Sequence, residues 1–351
     1  MAYDPLVINF IKTTAVILRT YEYSETSYVL SLLTRDHGRL HALAKGARRP
    51  KGTFGGEIDL LAEGQAVLLM HPDTSLHLLT EFSCRNRRLA LRSSLARSYA
   101  ACYVADAVAA ASPEGDAQPE LYDLLTHTLD FLETDDVAAA VAFFQIHLLD
   151  LAGFMPDLKH CAGCGAALGR RAAAGPQLTY SFLKGGLLCE ECVAGDGEKG
   201  RGGEGETRGR GDTGTRGRGD TGTRGRGRVG AGLPNPRGNG PPADGPPSGG
   251  PPIGGITGTE CAVSRGAIAF INSLARTHSA ALHRAKVPYP LAVETISFLG
   301  HVIAAAFENE PRTLKALLAR MTKQQKASAG NTARRRGEYQ PKRRPTEPPS
   351  R

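Results

Sequence analysis

No apolar run in the 351-residue chain approaches the ~18 residues that span a bilayer. The opening Met1-Ala-Tyr-Asp-Pro has no basic stretch, and Asn9, Lys12, Thr13 and Thr14 interrupt any leader-like apolar segment. The expectation is a cytoplasmic chain without a membrane role, its thiols kept reduced. Its 7 cysteines, odd in number and spread through a long chain, do not suggest a disulfide framework. Catalytic signatures are missing too. There is no Gly-x-x-x-x-Gly-Lys-Ser/Thr phosphate loop, no His-Glu-x-x-His and no nucleophile elbow, and His127 and His147 read as packing or surface groups. An enzyme is not expected.

Two segments are almost without apolar residues. Residues 195–258 hold only Val229, Ala231, Leu233, Ala243, Ile253 and Ile256, and residues 322–351 only Ala327, Ala329, Ala333 and Tyr339. The first carries a repeat, Arg-Gly-Arg-Gly-Asp-Thr-Gly-Thr, from Arg208, too short for a solenoid unit and with no apolar face to stack. Such composition cannot offset the entropy of ordering, so a disordered insertion and a disordered tail are expected. The arginines could bind nucleic acid loosely, but Asp212 and Asp220 dilute their charge, and an inert expansion is the favoured reading. Of the net charge of +8, the tail carries most, through Arg334, Arg335, Arg336, Lys342, Arg343 and Arg344 among others. The body is nearly neutral, so any nucleic-acid affinity there needs a local patch.

The remaining residues are roughly half apolar, enough for an ordinary core. Short runs at Thr14–Thr20, Ser27–Thr34, Arg39–Lys45, Ile58–Ala62, Ala66–His71 and Ser75–Phe82 predict strands. Turns at Arg35–Gly38, Glu63-Gly64 and His71–Asp73 divide them. Five or six short strands in so few residues suit a small barrel, with a sandwich fragment as the alternative. Beyond residue 84 the period is helical. The stretch Leu89–Ala111 is Ala-rich, and Leu121, Leu124, Leu125, Leu129 and Leu132 form a stripe behind Pro119. Val137–Leu151 repeats the pattern and ends at Gly153 and Pro156; Ser264, Pro290 and Pro311 open three later helices.

Cys161-Ala-Gly-Cys164 and Cys189-Glu-Glu-Cys192 interrupt the helices. Each Cys-x2-Cys pair turns two thiolates towards one point, and two such knuckles give a closed tetrahedral site that suits one structural zinc. Between them lies a candidate hairpin, Leu178–Leu183 returning through Gly185-Gly186 to Leu188. An iron–sulfur centre would use the same four thiolates, and a thioredoxin-like pair lacks its βαβ setting. Cys84, Cys102 and Cys261 read as small buried side chains, His160 as a surface neighbour of the site, and Glu190 and Glu191 as solvating residues.

A basic loop, Lys45-Gly-Ala-Arg48-Arg49-Pro-Lys51, lies between predicted strands. Its cations would neutralise phosphates without reading sequence, and Arg35 and Arg39 could extend the patch. Tyr21, Tyr23, Tyr28 and Phe54 are candidate faces for unpaired bases, and Arg85, Arg87, Arg88 and Arg92 could rim the same groove.

Three stretches resemble the bacterial recombination mediator family RecO. They are Thr14–Lys51, with Thr34-Arg-Asp-His-Gly-Arg39 and Lys45-Gly-Ala-Arg-Arg-Pro-Lys51; Gly153-Phe-Met-Pro-Asp-Leu before Cys161; and Phe182-x3-Gly186-x-Leu188-Cys189. The resemblance implies an α+β multidomain chain. Its parts would be an N-terminal OB-fold at 1–82, a helical domain at 83–160 and 259–321, and a zinc-binding finger at 161–194, with the insertion at 195–258 and the tail at 322–351. It also implies binding of single- and double-stranded DNA, annealing, and loading of RecA onto DNA coated by single-strand-binding protein, with RecR and the tail of that protein as partners. A nucleoid-associated DNA repair protein of the RecF/RecR pathway is the expectation. An RNA-binding accessory factor of ribosome or transcription, or a purely structural adaptor, is the alternative.

Overall fold

The computed structural model describes residues 9–323 apart from 50, 51, 53, 73, 135, 170–175, 200–258, 278–287 and 309–310. The repeats of the insertion and the basic tail beyond 323 lie outside the described residues.

Five strands come first: β1 (Asn9–Glu22), β2 (Tyr28–Thr34), β3 (Gly38–Ala44), β4 (Glu63–Met70) and β5 (Leu76–Asn86). Their pairing closes in the order β1-β2-β3-β5-β4, with β4 returning to β1, so the sheet is a closed barrel. All pairs are antiparallel except β3 with β5. Closure explains the length of β1. Its first half pairs with β4 and its second with β2, the two ladders overlapping at Ala15 and Val16, and a bulge between Ile17 and Arg19 shifts the register within the β2 ladder. Asn9–Thr13, with the polar Asn9, Lys12 and Thr13, precede the predicted strand Thr14–Thr20 and yet belong to β1.

Two expectations fail here. Ile58–Ala62 is not a strand: Leu61 has φ +64, outside the β region, and the segment's backbone bonds to β1 are Leu61 N–H to Ile17 O and Ile17 N–H to Ala62 O, at 2.9 and 3.0 Å, without a ladder. Glu63-Gly64 is not a turn but the start of β4. Gly64 sits opposite Cys84, and a Cβ there would lie 2.3 Å from the Ser83 carbonyl oxygen. Small size, not flexibility, is what the position needs. Gly64→Ala is therefore expected to lower stability by about 2 kcal/mol through overpacking, read as a lower midpoint in urea unfolding.

The barrel interior is filled by small and aliphatic residues such as Ala15, Ile17, Leu32, Ala42, Ala66 and Leu68, with Phe54 buried among them. The outer side contributes Val16, Leu18, Leu33 and Leu61 to a second core shared with the helices. A 3-10 turn (Leu89–Ser93) leads into α1 (Leu95–Ala111), followed by α2 (Pro119–Thr134) and α3 (Val137–Leu151). The helix expected over Leu89–Ala111 is broken at Ser94, which is extended at φ −141. The leucine stripe of α2 is buried as its spacing predicts, and Asp136 caps α3 by accepting from Ala138 N–H at 2.8 Å.

A three-stranded sheet of β6 (Gln177–Ser181), β7 (Gly186–Leu188) and β8 (Glu260–Ser264) has the order β7-β6-β8. The β6–β7 hairpin was expected; β8 was not. Helix α4 (Glu190–Lys199) also runs past residue 195, where the low-complexity segment was placed. Ser264 caps α5 (Arg265–Leu274), its Oγ accepting from Ala267 N–H at 3.1 Å. Helix α6 (Tyr289–Ala306) and a last helix, α7 (314–323), complete the shared core, where Leu314, Leu317, Leu318 and Met321 are buried. By length and hydropathy α6 is apolar enough to cross a membrane, contrary to the sequence reading, but it is largely enclosed against α3 and α5.

Candidate metal site and nucleic-acid interface

The hairpin carries the second Cys-x2-Cys to the first. Ala162 N–H donates to Leu187 O at 2.8 Å, docking the first knuckle on β7, and β7 runs straight into Cys189 at the start of α4. The four sulfurs of Cys161, Cys164, Cys189 and Cys192 lie within 4.8 Å of one another, and Cys164 Sγ is 3.7 Å from Cys189 Sγ. A tetrahedral ion with metal–sulfur bonds of ~2.3 Å sets its ligands about 3.8 Å apart, so this cluster has the size to hold one. Gly163 leaves the room: a Cβ there would be 2.8 Å from Cys192 Sγ.

The electrostatics point the same way. Burial works to raise the Cys161 thiol, but backbone N–H groups, including those of Cys189 and Gly163 at 3.3 Å, outweigh it and bring it to about 6. Cys192, hydrogen-bonded to the sulfurs of Cys189, Cys161 and Cys164, is pushed up to about 12. Without a cation the cluster cannot hold all its thiolates ionised; with one it can. The site can therefore hold a metal ion, and with four protein ligands it leaves no position for a reacting water. His160 is exposed and pairs with Asp157 at 2.8 Å instead of entering the cluster. Cys261 is buried, and Cys84 and Cys102 are half-buried.

The basic loop leaves β3 on the side of the barrel that bears the β1–β2 hairpin. Arg48 N–H donates to Thr26 O at 3.0 Å, and the Arg48 guanidinium reaches Ser24 O at 3.2 Å, Glu22 at 3.3 Å and the face of Tyr28 at 5.6 Å. Lys45 and Arg49 are exposed, with no carboxylate partner among the described residues. Lys51 lies outside those residues. Arg35 and Arg39 are engaged elsewhere. Arg35 makes a two-pronged pair with Asp123 on α2, and Arg39 donates to Ser112 O at 3.0 Å and faces Glu114 at 3.6 Å. They fasten the barrel to the helices.

Of the four arginines expected to rim a groove, Arg88 is the one the fold takes inside. Its side chain is 1% exposed and pairs with Glu63 at 2.5 Å and with Asp130, with Glu133 at 4.0 Å. Arg92 pairs with Asp59 at 2.5 Å, Arg87 donates to the Gly56 carbonyl, and Arg85 is exposed. Among the candidate stacking faces, Phe54 is core and Tyr28 half-buried under Arg48, while Tyr21 and Tyr23 are exposed.

Residues 8–87 match the family model described as recombination protein O N terminal, and residues 92–201 the one described as recombination protein O C terminal. The two lie in the family's order and together take in more than half of the chain. The chain belongs to the RecO family. Relatives named DNA repair protein RecO include that of Rhodopirellula baltica, 38% identical over 181 residues, which are 51% of this chain and 65% of that protein. The protein of Dehalococcoides mccartyi is 32% identical over 182 residues, 52% of this chain and 69% of the relative. That of an Anaeromyxobacter species is 33% identical over 186 residues, 53% and 71%. The chain thus spans just under two thirds of the Rhodopirellula protein. The RecO match ends at residue 201, yet β8, α5, α6 and α7 fill the same core beyond it.

Proposed function

We propose that this chain is a recombination mediator in DNA repair. It binds single- and double-stranded DNA, anneals complementary strands and, with RecR, helps load RecA onto DNA coated by single-strand-binding protein. Family membership supports the repair role. The observation that carries the DNA contact is the β3–β4 loop, where Lys45 and Arg49 stand exposed beside the β1–β2 hairpin of a closed five-stranded barrel with the strand order of an OB-fold. Annealing requires screening of phosphate repulsion on two strands with base edges left free, and a sequence-neutral cationic loop provides that without catalytic groups. The Arg48–Glu22 pair is at the surface and weak, so a phosphate can displace the carboxylate. Arg35 and Arg39 are tied to carboxylates, and the proposal rests on Lys45, Arg48, Arg49 and Lys51. The metal of the four-cysteine cluster is proposed to be one zinc ion, which cross-links two chain segments and has no part in DNA chemistry.

The test is annealing of complementary oligonucleotides coated with single-strand-binding protein. A chain that leaves annealing at the uncatalysed rate, or that prefers RNA, would defeat the proposal. Replacing Lys45, Arg48, Arg49 and Lys51 together by alanine is expected to flatten the log-affinity against log-salt slope on single strands by roughly 3 units, at about 0.7 per phosphate contact. The loss should be alike for unrelated sequences. An unchanged slope in the folded variant would make the loop a solvated turn.

A further inference from the structure

The geometry points to an aromatic track for unpaired bases on the outer face of the barrel, made by Tyr23, Tyr21 and Tyr99 and leading away from the basic loop. This deepens the proposed DNA binding by assigning a separate site to single strands. Three of the few exposed aromatic side chains are involved: Tyr21 is 47% exposed, Tyr23 66% and Tyr99 38%.

The register places them together. After the bulge at Ile17/Arg19, Thr20 and Glu22 stand opposite Leu30 and Tyr28, which belong to the barrel interior, whereas Arg19 and Tyr21 stand opposite Ser31 and Val29. Arg19 and Tyr21 therefore face outwards on one side of the strand. Helix α1 runs along that side. Arg39, level with Leu33 and Val16, donates to the carbonyl of Ser112 just beyond the helix end, and Arg19, three residues on along β1, pairs with Asp106 at 2.8 Å. Moving towards the hairpin on β1 thus means moving towards the start of α1. Tyr99 is seven residues before Asp106, two turns along the same helix face and about 10 Å away. Tyr21 is two strand residues beyond Arg19, about 7 Å, and Tyr23 follows just past the strand end at Glu22, in the hairpin. Tyr21 and Tyr99 thus lie on one side of the barrel–helix seam, with the exposed Tyr23 at its hairpin end.

One feature favours a nucleic-acid strand over a protein partner. The hairpin that ends the track holds the basic loop: Tyr23 N–H bonds Ser27 O at 3.1 Å, Ser27 Oγ accepts from Gly46 N–H at 3.3 Å, and Arg48 reaches Ser24 and Thr26. Exposed rings continuous with Lys45 and Arg49 combine stacking faces with phosphate-neutralising charge, the pairing that single strands require and duplexes, with their bases already stacked, do not.

The experiment compares a dT oligonucleotide with a duplex of the same length, using the full chain and the variant Tyr21→Ala/Tyr23→Ala/Tyr99→Ala. Single-strand affinity is expected to fall at least 30-fold, a conservative value for three stacking contacts, with duplex affinity within about twofold and the salt slope unchanged. The corresponding triple phenylalanine variant keeps the rings and should bind as the unmodified chain does. Because the chain has no tryptophan, tyrosine emission can be read directly, and the oligonucleotide should quench it in the unmodified protein. If the alanine variant is not folded, Tyr23→Ala alone, at the hairpin, should still lose about tenfold on single strands. Single-strand affinity within threefold of the unmodified chain, or an equal loss on duplex, overturns the track while leaving DNA binding intact. Absence of DNA binding by the unmodified chain overturns the proposed function itself.

Discussion

Cys161→Ser should release the metal and lower the thermal midpoint by roughly 10 °C. Metal bound to four thiolates in the folded state and not in the unfolded state adds its binding free energy to folding, about 10–16 kcal/mol in isolated zinc-finger peptides. Here part of the module is also held by the β6–β7–β8 sheet and by Leu178, Tyr180 and Leu187 in the shared core, so a loss of about 4 kcal/mol is expected. Cys161 is the ligand to choose because it is buried and its sulfur accepts N–H groups from both knuckles. Metal analysis should find one zinc per unmodified chain and none in the variant, and a chelator should reproduce the lowered midpoint. Cys102→Ser, away from the cluster, is the control. Iron in place of zinc would assign the site to an iron–sulfur centre; a chelator-insensitive midpoint would remove the metal from the fold altogether.

The second large effect is at Arg88. Arg88→Met is expected to destabilise the chain by about 3–5 kcal/mol, because it leaves Glu63 and Glu133 facing an apolar side chain at the seam between barrel and helices. The buried pair need not stabilise the fold relative to a well-filled apolar contact; what is costly is to remove one partner only. Arg88→Met combined with Glu63→Gln should therefore recover part of the loss, as read in urea unfolding midpoints. Equal midpoints for Arg88→Met and the unmodified chain would show that water reaches the acids and that the seam is held by its apolar residues alone. The Arg35–Asp123 pair, half exposed on the same seam, should matter far less, within about 1 kcal/mol.

What could be read from the sequence were features whose cause is local. The leucine stripe of α2 follows from the helical period, the cap at Ser264 from a side-chain oxygen next to free N–H groups, and the four-cysteine cluster from two short spacings joined by a hairpin. Each is specified within a few residues, and the motif spacing that marked the RecO resemblance is equally local. Other features were set by partners distant in the chain. Asn9–Thr13 lie before the predicted strand, yet β4 supplies their ladder; Ile58–Ala62 is apolar and reads as a strand, yet the positive φ of Leu61 ends it. Gly64 looked like a turn until β5 was seen against it, and β8 is invisible without β6, from which it is separated by more than 75 residues of sequence.

The cations divide in the same way. By sequence Arg35, Arg39, Arg48, Arg49 and Arg88 are equivalent basic residues near one barrel. The fold gives Arg35 to Asp123, Arg39 to Ser112 and Glu114, and Arg88 to Glu63 and Asp130, and it leaves Arg49 with Lys45 in the open. Charge count and spacing specify that a basic surface can exist. Only the placement of carboxylates 25 to 88 residues away along the chain decides which guanidinium groups remain for a phosphate, because an ion pair depends on distance in space and not on position in sequence.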